Sequence, residues 1–279
     1  EGCFFEKMQD LEKGYKIKFT DHELVVFLPE RIHLTRYSYK ATTPSNLSMY
    51  ARKHLRKSKV KKVFQKGFDR VLVIELDNGF SLIFEMFSKG NLVLVEDGKT
   101  RHCHRRESWR DREIKPGKEY KFPAPYGLSP VEMNEDEFRQ VFDQKDVIRS
   151  LVKNLNMSGK YLEEACARAG VDKLKKKPTK DERQKIFKEI KKLLEDCQPG
   201  IQGEPVVTEM QTNQEGFQPK KSFSQALDEY HSPEKTVEGP DLTKIEKRLK
   251  KQEQSLVELK EQEVESKKIG DTIYNNLFQ

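Results

Sequence analysis

The chain has 279 residues, 35% of them charged and 35% hydrophobic, with 53 basic residues against 46 acidic ones and a net charge of +7. That length holds one sizeable core, or two modest ones with an extension. No run of about 18 apolar residues occurs, which argues against a membrane-spanning helix, and the positive surplus suits a polyanionic partner such as nucleic acid. Cys3, Cys103, Cys166 and Cys197 lie far apart and form no CxxC pair. Neither a disulfide framework nor a zinc site is expected, and the spacing fits the reducing cytoplasm. His102 and His104 flank Cys103, but a metal would need a second ligand cluster. No metal and no cofactor is therefore expected.

The first third reads as strands. Tyr15 to Phe19 alternates polar and apolar, Glu23 to Leu28 follows a turn, and Arg31 to Thr35 makes a third strand. Pro44-Ser45 opens a helix with Leu47, Tyr50, Ala51, His54 and Leu55 on one face. Lys59 to Phe64 starts a second strand set. Val71 to Leu76 and Phe80 to Phe87 flank the hairpin signal Asp77-Asn78-Gly79, and Asn91 to Glu96 runs into a second one at Asp97-Gly98. This meander with an embedded helix predicts an α+β fold, a sandwich or a barrel.

Pro116, Pro123, Pro125 and Pro130 punctuate a connector, and the pattern beyond it is helical. Asp146 to Leu155 and Lys160 to Ala169 are two short helices around the turn Asn156 to Gly159. Pro178 to Cys197 is a longer charged helix with Ile186, Ile190, Leu193 and Leu194 as its stripe. Residues 201–221 predict a short strand and a loop, and Ser222 to Tyr230 a short helix. From Asp241 onward, Leu242, Ile245, Leu249, Gln252, Leu256 and Leu259 follow the 3-4 spacing of a coiled coil. A partner helix or a solvated helix with an isolated stripe both fit that pattern.

Enzyme signatures of the GxxxxGKS, GxSxG and HExxH types do not occur in the sequence. Basic clusters are more informative. Arg52, Lys53, Arg56 and Lys57 fall on the first helix and its end, and Lys59 and Lys61 on the next strand. On a helix, Arg52 shares a face with Arg56, and Lys53 with Lys57. Such a surface can track phosphates. Arg105 and Arg106 belong to a second cluster that surrounds Trp109, whose ring either stacks on a base or packs on its own domain. Asp69-Arg70 sits at a strand entrance, where the two side chains either form a surface salt bridge or contact a base or ribose and a phosphate. The turn at Ser158, Gly159 and Lys160 is either a generic helical turn or a phosphate-binding hairpin with backbone N–H groups at a helix start.

Several multi-residue motifs occur in a specific order. They are Arg31 to Thr35, Pro44-Ser45, Arg52 to Arg56, Gln65 to Arg70, Phe84 to Asn91, Arg110 to Gly117 with Tyr120, and Ser222 to Tyr230. Together they resemble the NFACT family of ribosome quality-control factors, in a form of archaeal type. The resemblance implies an NFACT-N domain at 1–127 with a glycosylase-like sandwich, and a helix-hairpin-helix domain at 128–200. A connector at 201–240 and the first helix of a coiled-coil arm at 241–279 would follow. It implies a factor that is not an enzyme in the ordinary sense and has no membrane association. Such factors bind the large ribosomal subunit carrying a stalled peptidyl-tRNA. They recruit tRNA, commonly alanyl-tRNA, for template-independent C-terminal tailing. The family's tRNA pocket maps onto Asp69 and Arg70. A preceding helix with a further acidic pocket residue is expected before Glu1. The arm helix is expected to pair with its own return or in a homodimer. The alternative is a DNA-binding or DNA-repair protein of glycosylase-like architecture, which would need an N-terminal Pro-Glu nucleophile and often a terminal zinc finger, neither of which is expected here. An extracellular adhesin would need an export signal.

Overall fold

The computed structural model describes residues 1–143 and 145–233, with helical stretches at 252–256, 258–260, 262–263 and 266–268. Two antiparallel meanders carry the N-terminal half. The first runs β1 (Phe5–Leu11), β2 (Gly14–Phe19), β3 (Glu23–Phe27) and β4 (Arg31–Thr35), paired in chain order. Helix α1 (Asn46–Leu55) follows, capped by Ser45, whose hydroxyl accepts from the Ser48 amide. The second sheet runs β5 (Val60–Gln65), β6 (Val71–Leu76), β7 (Phe80–Glu85), β8 (Asn91–Glu96) and β9 (Lys99–Cys103), again in order. Asp97 and Gly98 both have positive φ, 50° and 74°, which is the backbone that a tight hairpin between β8 and β9 requires.

The sheets face each other as a sandwich. Phe5, Met8 and Ile17 from the first pack against Leu82, Phe84, Leu92 and Leu94 from the second, with Leu47, Ala51 and Leu55 of α1 completing the core. The second sheet is buried on its other face as well. There Val71, Val73, Ile83 and Val93 meet Ile114 and Tyr120 from the connector. Burial on both faces explains why β6 and β8 read as almost continuous apolar runs. In the first sheet β2 and β4 alternate polar and apolar residues.

Strand β1 was not expected from the sequence. A bulge between Phe5 and Lys7 breaks its period-two pattern, and Lys7 and Gln9 dilute its apolar content. A short hairpin, β10 (Glu107–Ser108) with β11 (Glu113–Ile114), was also unforeseen.

The helical part comprises α2 (Glu135–Arg139), α3 (Val147–Asn154), α4 (Gly159–Arg168) and α5 (Lys180–Glu195) around Phe138, Leu151, Leu155, Leu162, Ile186 and Ile190. Three of these helices follow the sequence expectation within two residues at each end. Helix α2 does not appear in it, although Asn134 and Glu137 form a reciprocal capping box there. A second such box, Thr179 with Glu182, starts α5 beyond Pro178.

The polar stretch after α5 holds three strands, not one. They are β12 (Gly200–Gln202), β13 (Glu204–Val206) and β14 (Gln218–Pro219), in the order β13-β12-β14. Buried Gln202 organises their loop. Its amide donates to the carbonyls of Met210, Asn213 and Glu215 and accepts from the Met210 amide. Helix α6 (Phe223–Tyr230) then covers the free edge of β4. The Ser224 hydroxyl accepts from the Leu34 amide at 2.8 Å, and Asp228 accepts from the Arg36 amide at 2.9 Å. Side chains thus satisfy an edge that would otherwise present unpaired backbone groups.

Residues Glu1–Ser232 form one compact unit and Pro233–Gln279 a second. In the second, Leu256 and Leu259 lie on helical stretches and are exposed. The other positions of the expected arm seam, Leu242, Ile245 and Leu249, lie outside the described residues. No helix among the described residues is long and apolar enough to cross a membrane.

Candidate nucleic-acid interface

The loop between β5 and β6 carries Asp69 and Arg70. It is a closed turn. The Lys66 amide donates to the Val71 carbonyl at 2.9 Å, the Asp69 amide to the Lys66 carbonyl at 3.1 Å, and the Gln65 side chain to the Asp69 carbonyl at 2.8 Å. Gly67 supplies the left-handed backbone this turn needs, at φ +56°. Asp69 and Arg70 form no ion pair with each other, and the exposed Arg70 side chain makes no hydrogen bond or ion pair among the described residues. The surface salt-bridge reading of the pair is thereby removed.

Asp69 instead reaches the helical part. Its Oδ1 accepts from the Asn156 side-chain amide at 2.6 Å, and the same amide donates to the Phe68 carbonyl at 3.3 Å. Asn156 lies in the turn between α3 and α4, so the Asp69 loop is joined to a residue 87 positions away in the helical part. Asp69, Arg70 and Gln65 line a groove of 480 Å³ together with Glu30, Arg31 and Phe223. Arg31 lies over the Phe27 ring at 3.9 Å and pairs with Glu30 at 3.4 Å. The sequence did not single out Asn156 or Arg31 as site residues, since no spacing rule connects either of them to Asp69.

In the α3–α4 turn, Ser158 is exposed and makes no side-chain capping bond at the start of α4, which begins at Gly159. Lys160, expected to serve phosphate, is paired with Glu204 at 2.5 Å. The carboxylate partly neutralises that helix start.

The two basic clusters separate. Arg52 is half-buried and its Nε donates to the Met8 carbonyl at 2.6 Å, while Lys53 and Arg56 are exposed. The expected shared face of Lys53 and Lys57 does not form, because α1 ends at Leu55 and Lys57 turns back with φ +67°. Lys57 joins Arg52 and Arg56 along a different groove. A bulge between Val60 and Lys62 likewise interrupts the alternation read for Lys59 and Lys61. Arg105 is fixed through its backbone, which exchanges hydrogen bonds with the Asn91 side chain, and Arg106 is exposed. Trp109 is 43% exposed on the β10–β11 hairpin, with the Arg112 guanidinium over its ring at 4.6 Å.

The histidines have local partners. The Tyr15 hydroxyl shares a hydrogen bond with Nδ1 of His104, and Nδ1 of His102 accepts from the Cys103 amide. Burial pushes both imidazole pKa values down, helped at His104 by Arg105, and burial with Asp10 pushes Tyr15 up to about 12. No group of three or more potential metal ligands occurs among the described residues.

Residues 20–279 match the family described as NFACT N-terminal and middle domains. The chain belongs to the NFACT family. This NFACT chain is 28% identical over 288 residues to an archaeal Rqc2 homologue of Methanocaldococcus jannaschii, a match covering 91% of the chain and 43% of that relative. It is 33% identical over 96 residues to the ribosome quality control complex subunit 2 of Saccharomyces cerevisiae, covering 32% of the chain and 9% of that protein. It thus spans less than half the length of these relatives. Its fold is that of the N-terminal part of a fibronectin/fibrinogen-binding protein from Streptococcus suis, with a TM-score of 0.67 and 18% identity over 82% of this chain and 92% of that one. A fibrinogen-binding protein from Staphylococcus aureus gives 0.69 and 16% over 83% and 93%.

Three motifs behind the family resemblance hold the NFACT fold together. Arg112 and the Tyr120 hydroxyl both donate to Oε1 of buried Glu85, at 2.5 and 2.7 Å. Burial and the adjacent Glu85 carboxylate push the Tyr120 pKa up. The Ser222 to Tyr230 segment is the helix that closes the β4 edge. These residues build the scaffold, while Asp69 and Arg70 face the groove.

Proposed function

We propose that this NFACT chain is the N-terminal and middle portion of a ribosome-associated quality-control factor. It binds the large ribosomal subunit obstructed by a stalled peptidyl-tRNA. It recruits a further tRNA, alanyl-tRNA, for template-independent C-terminal tailing of the nascent chain. The factor positions RNA and the ribosome makes the peptide bonds, so the chain acts without a catalytic residue or cofactor of its own. The proposed setting is the cytoplasm, where ribosomes are available. Residues 128–200 take the part of the helix-hairpin-helix domain, and the second unit begins the arm.

The observation that carries this reading is the mutual independence of Asp69 and Arg70 in the lining of one groove. Arg70 keeps its whole guanidinium fork available for a phosphate. Asp69 gives one carboxylate oxygen to Asn156 and keeps capacity for a base amino group or ribose hydroxyl. A carboxylate beside a free arginine disfavours indiscriminate polyanion binding and favours a ligand with a donor next to a phosphate.

The test compares deacylated tRNA with length-matched duplex DNA at two salt concentrations, for the native chain and for the double variant Asp69→Ala/Arg70→Ala. The expected result is tighter tRNA binding that the double variant abolishes. Equal binding of both ligands, indifferent to the variant and lost in salt, overturns the assignment.

A further inference from the structure

The outer face of the first sheet carries a second groove, of 880 Å³, that shares no lining residue with the Asp69–Arg70 groove. Five cations line it, Lys7, Lys18, Arg52, Arg56 and Lys57, against the single carboxylate of Glu6. Phe4 stands in its wall with 46% of its surface exposed.

Several features keep these charges together at a cost to the fold. Lys7 and Lys18 are direct cross-strand partners in the β1–β2 ladder. Like charges opposite one another destabilise a sheet. Glu6 enters at the bulge and pairs with Lys18 at 3.1 Å, which leaves Lys7 uncompensated. Lys57 adopts the left-handed backbone that favours glycine, and its amide donates to the Phe5 carbonyl at 2.9 Å, pinning it beside β1. Basic residues at the end of α1 complement the helix dipole, which accounts for Arg52 without a ligand. That argument does not reach Lys7 or Lys18, which are on strands.

We infer that this groove binds single-stranded RNA, with the phosphates along Lys7, Arg56 and Lys57 and one unpaired base on the Phe4 ring. A cationic channel with an aromatic face is the arrangement that tracks a strand without reading its sequence. A bilayer surface is flat and does not follow a concave channel, and an acidic peptide has no base to place on Phe4. The inference rests on the proposed function only in taking RNA as the ligand. It adds a binding surface separate from the tRNA pocket.

The experiment titrates the full chain with a labelled oligouridine RNA across a salt series. The variants are Lys7→Gln/Lys57→Gln, Arg56→Gln, Phe4→Leu and Asp69→Ala/Arg70→Ala, with melting temperature as the folding control. Lys7, Arg56 and Lys57 are exposed, so native melting is expected. Losing two phosphate contacts should flatten the salt slope by about 1.4 and weaken binding by about tenfold. Phe4→Leu should weaken binding without changing the slope. Arg56→Gln gives an independent reading of about half the slope change. Unchanged affinity and slope in the three groove variants overturns the inference, and so does equal weakening towards polyglutamate or phosphatidylserine vesicles. Silent groove variants together with a pocket variant that abolishes tRNA binding would remove the groove and leave the proposed function standing. Active groove variants with an indifferent pocket variant would do the reverse.

Discussion

The side-chain amide of Asn156 donates to Asp69 across 2.6 Å and joins the loop of a β-sandwich to the turn of a helical pair. The contact fixes one oxygen of the carboxylate and with it the direction of the other. An amide that also holds the Phe68 carbonyl cannot rotate freely. The pocket is therefore positioned in part by the helical elements of the same compact unit.

Asn156→Ala tests this positioning. The bond is half-buried and its acceptor is charged, so its loss should cost about 1–2 kcal/mol in urea unfolding. Affinity for tRNA should fall several-fold, because the Asp69 side chain regains rotamer freedom. In a double-mutant cycle with Asp69→Ala the two losses should not add. Additive losses would mean that Asn156 acts on tRNA by itself.

Arg70→Ala should behave differently. Its side chain is exposed and makes no hydrogen bond or ion pair among the described residues. Thermal stability should stay within about 0.5 kcal/mol of the native chain, while tRNA affinity drops and the salt slope flattens by about 1. A fall in melting temperature would assign Arg70 to the scaffold.

These two residues mark the limit of sequence reading here. Asp69 and Arg70 were legible as a pair, because Gly67 signals the turn that carries them. The partner of Asp69 was not, since a contact across 87 positions follows from how two cores dock. The same holds for Lys57, which a regular helix would place with Lys53. The helix ends two residues too early, and the backbone reverses. Strands β6 to β8 were readable, because burial on both faces gave strong apolar runs between unambiguous turns. Strand β1 was hidden by a bulge, and the sites of β12 to β14 by polar residues that a buried glutamine organises. Local chemistry was visible in the sequence, and the docking of one core on another was not.

Arg112→Ala should damage the fold and not the groove. Glu85 and Arg112 are both buried, with side-chain exposures of 2% and 6%. Removing the guanidinium strands a carboxylate in a dry core, at a cost of about 3–5 kcal/mol. It also removes the cation from the Trp109 ring. Urea unfolding should show the loss at neutral pH. Tyr120→Phe deletes one donor to the same carboxylate and should cost less, about 1–3 kcal/mol. If Arg112→Ala melts like the native chain, the Glu85 cluster is not what secures the outer face of the second sheet.

Acid should release the loop that α4 holds. Burial of Glu164 by itself raises its pKa. Hydrogen bonds from the Arg168 side chain, the Gln211 and Thr212 amides and the Thr212 hydroxyl outweigh that and bring it below the ordinary 4.5. The folded value is thus the lower of the two. The native state then binds fewer protons than the unfolded state in the interval between them, and stability rises with pH there. The contribution is complete above 4.5 and is lost as pH falls through the depressed folded value. Glu164→Gln removes the titration. The urea midpoint of the native chain should therefore drop more steeply below pH 4.5 than that of the variant. At neutral pH the variant should be the weaker of the two, because an amide cannot accept all four bonds. Parallel acid limbs would show that Glu164 does not govern the acid response of this part of the fold.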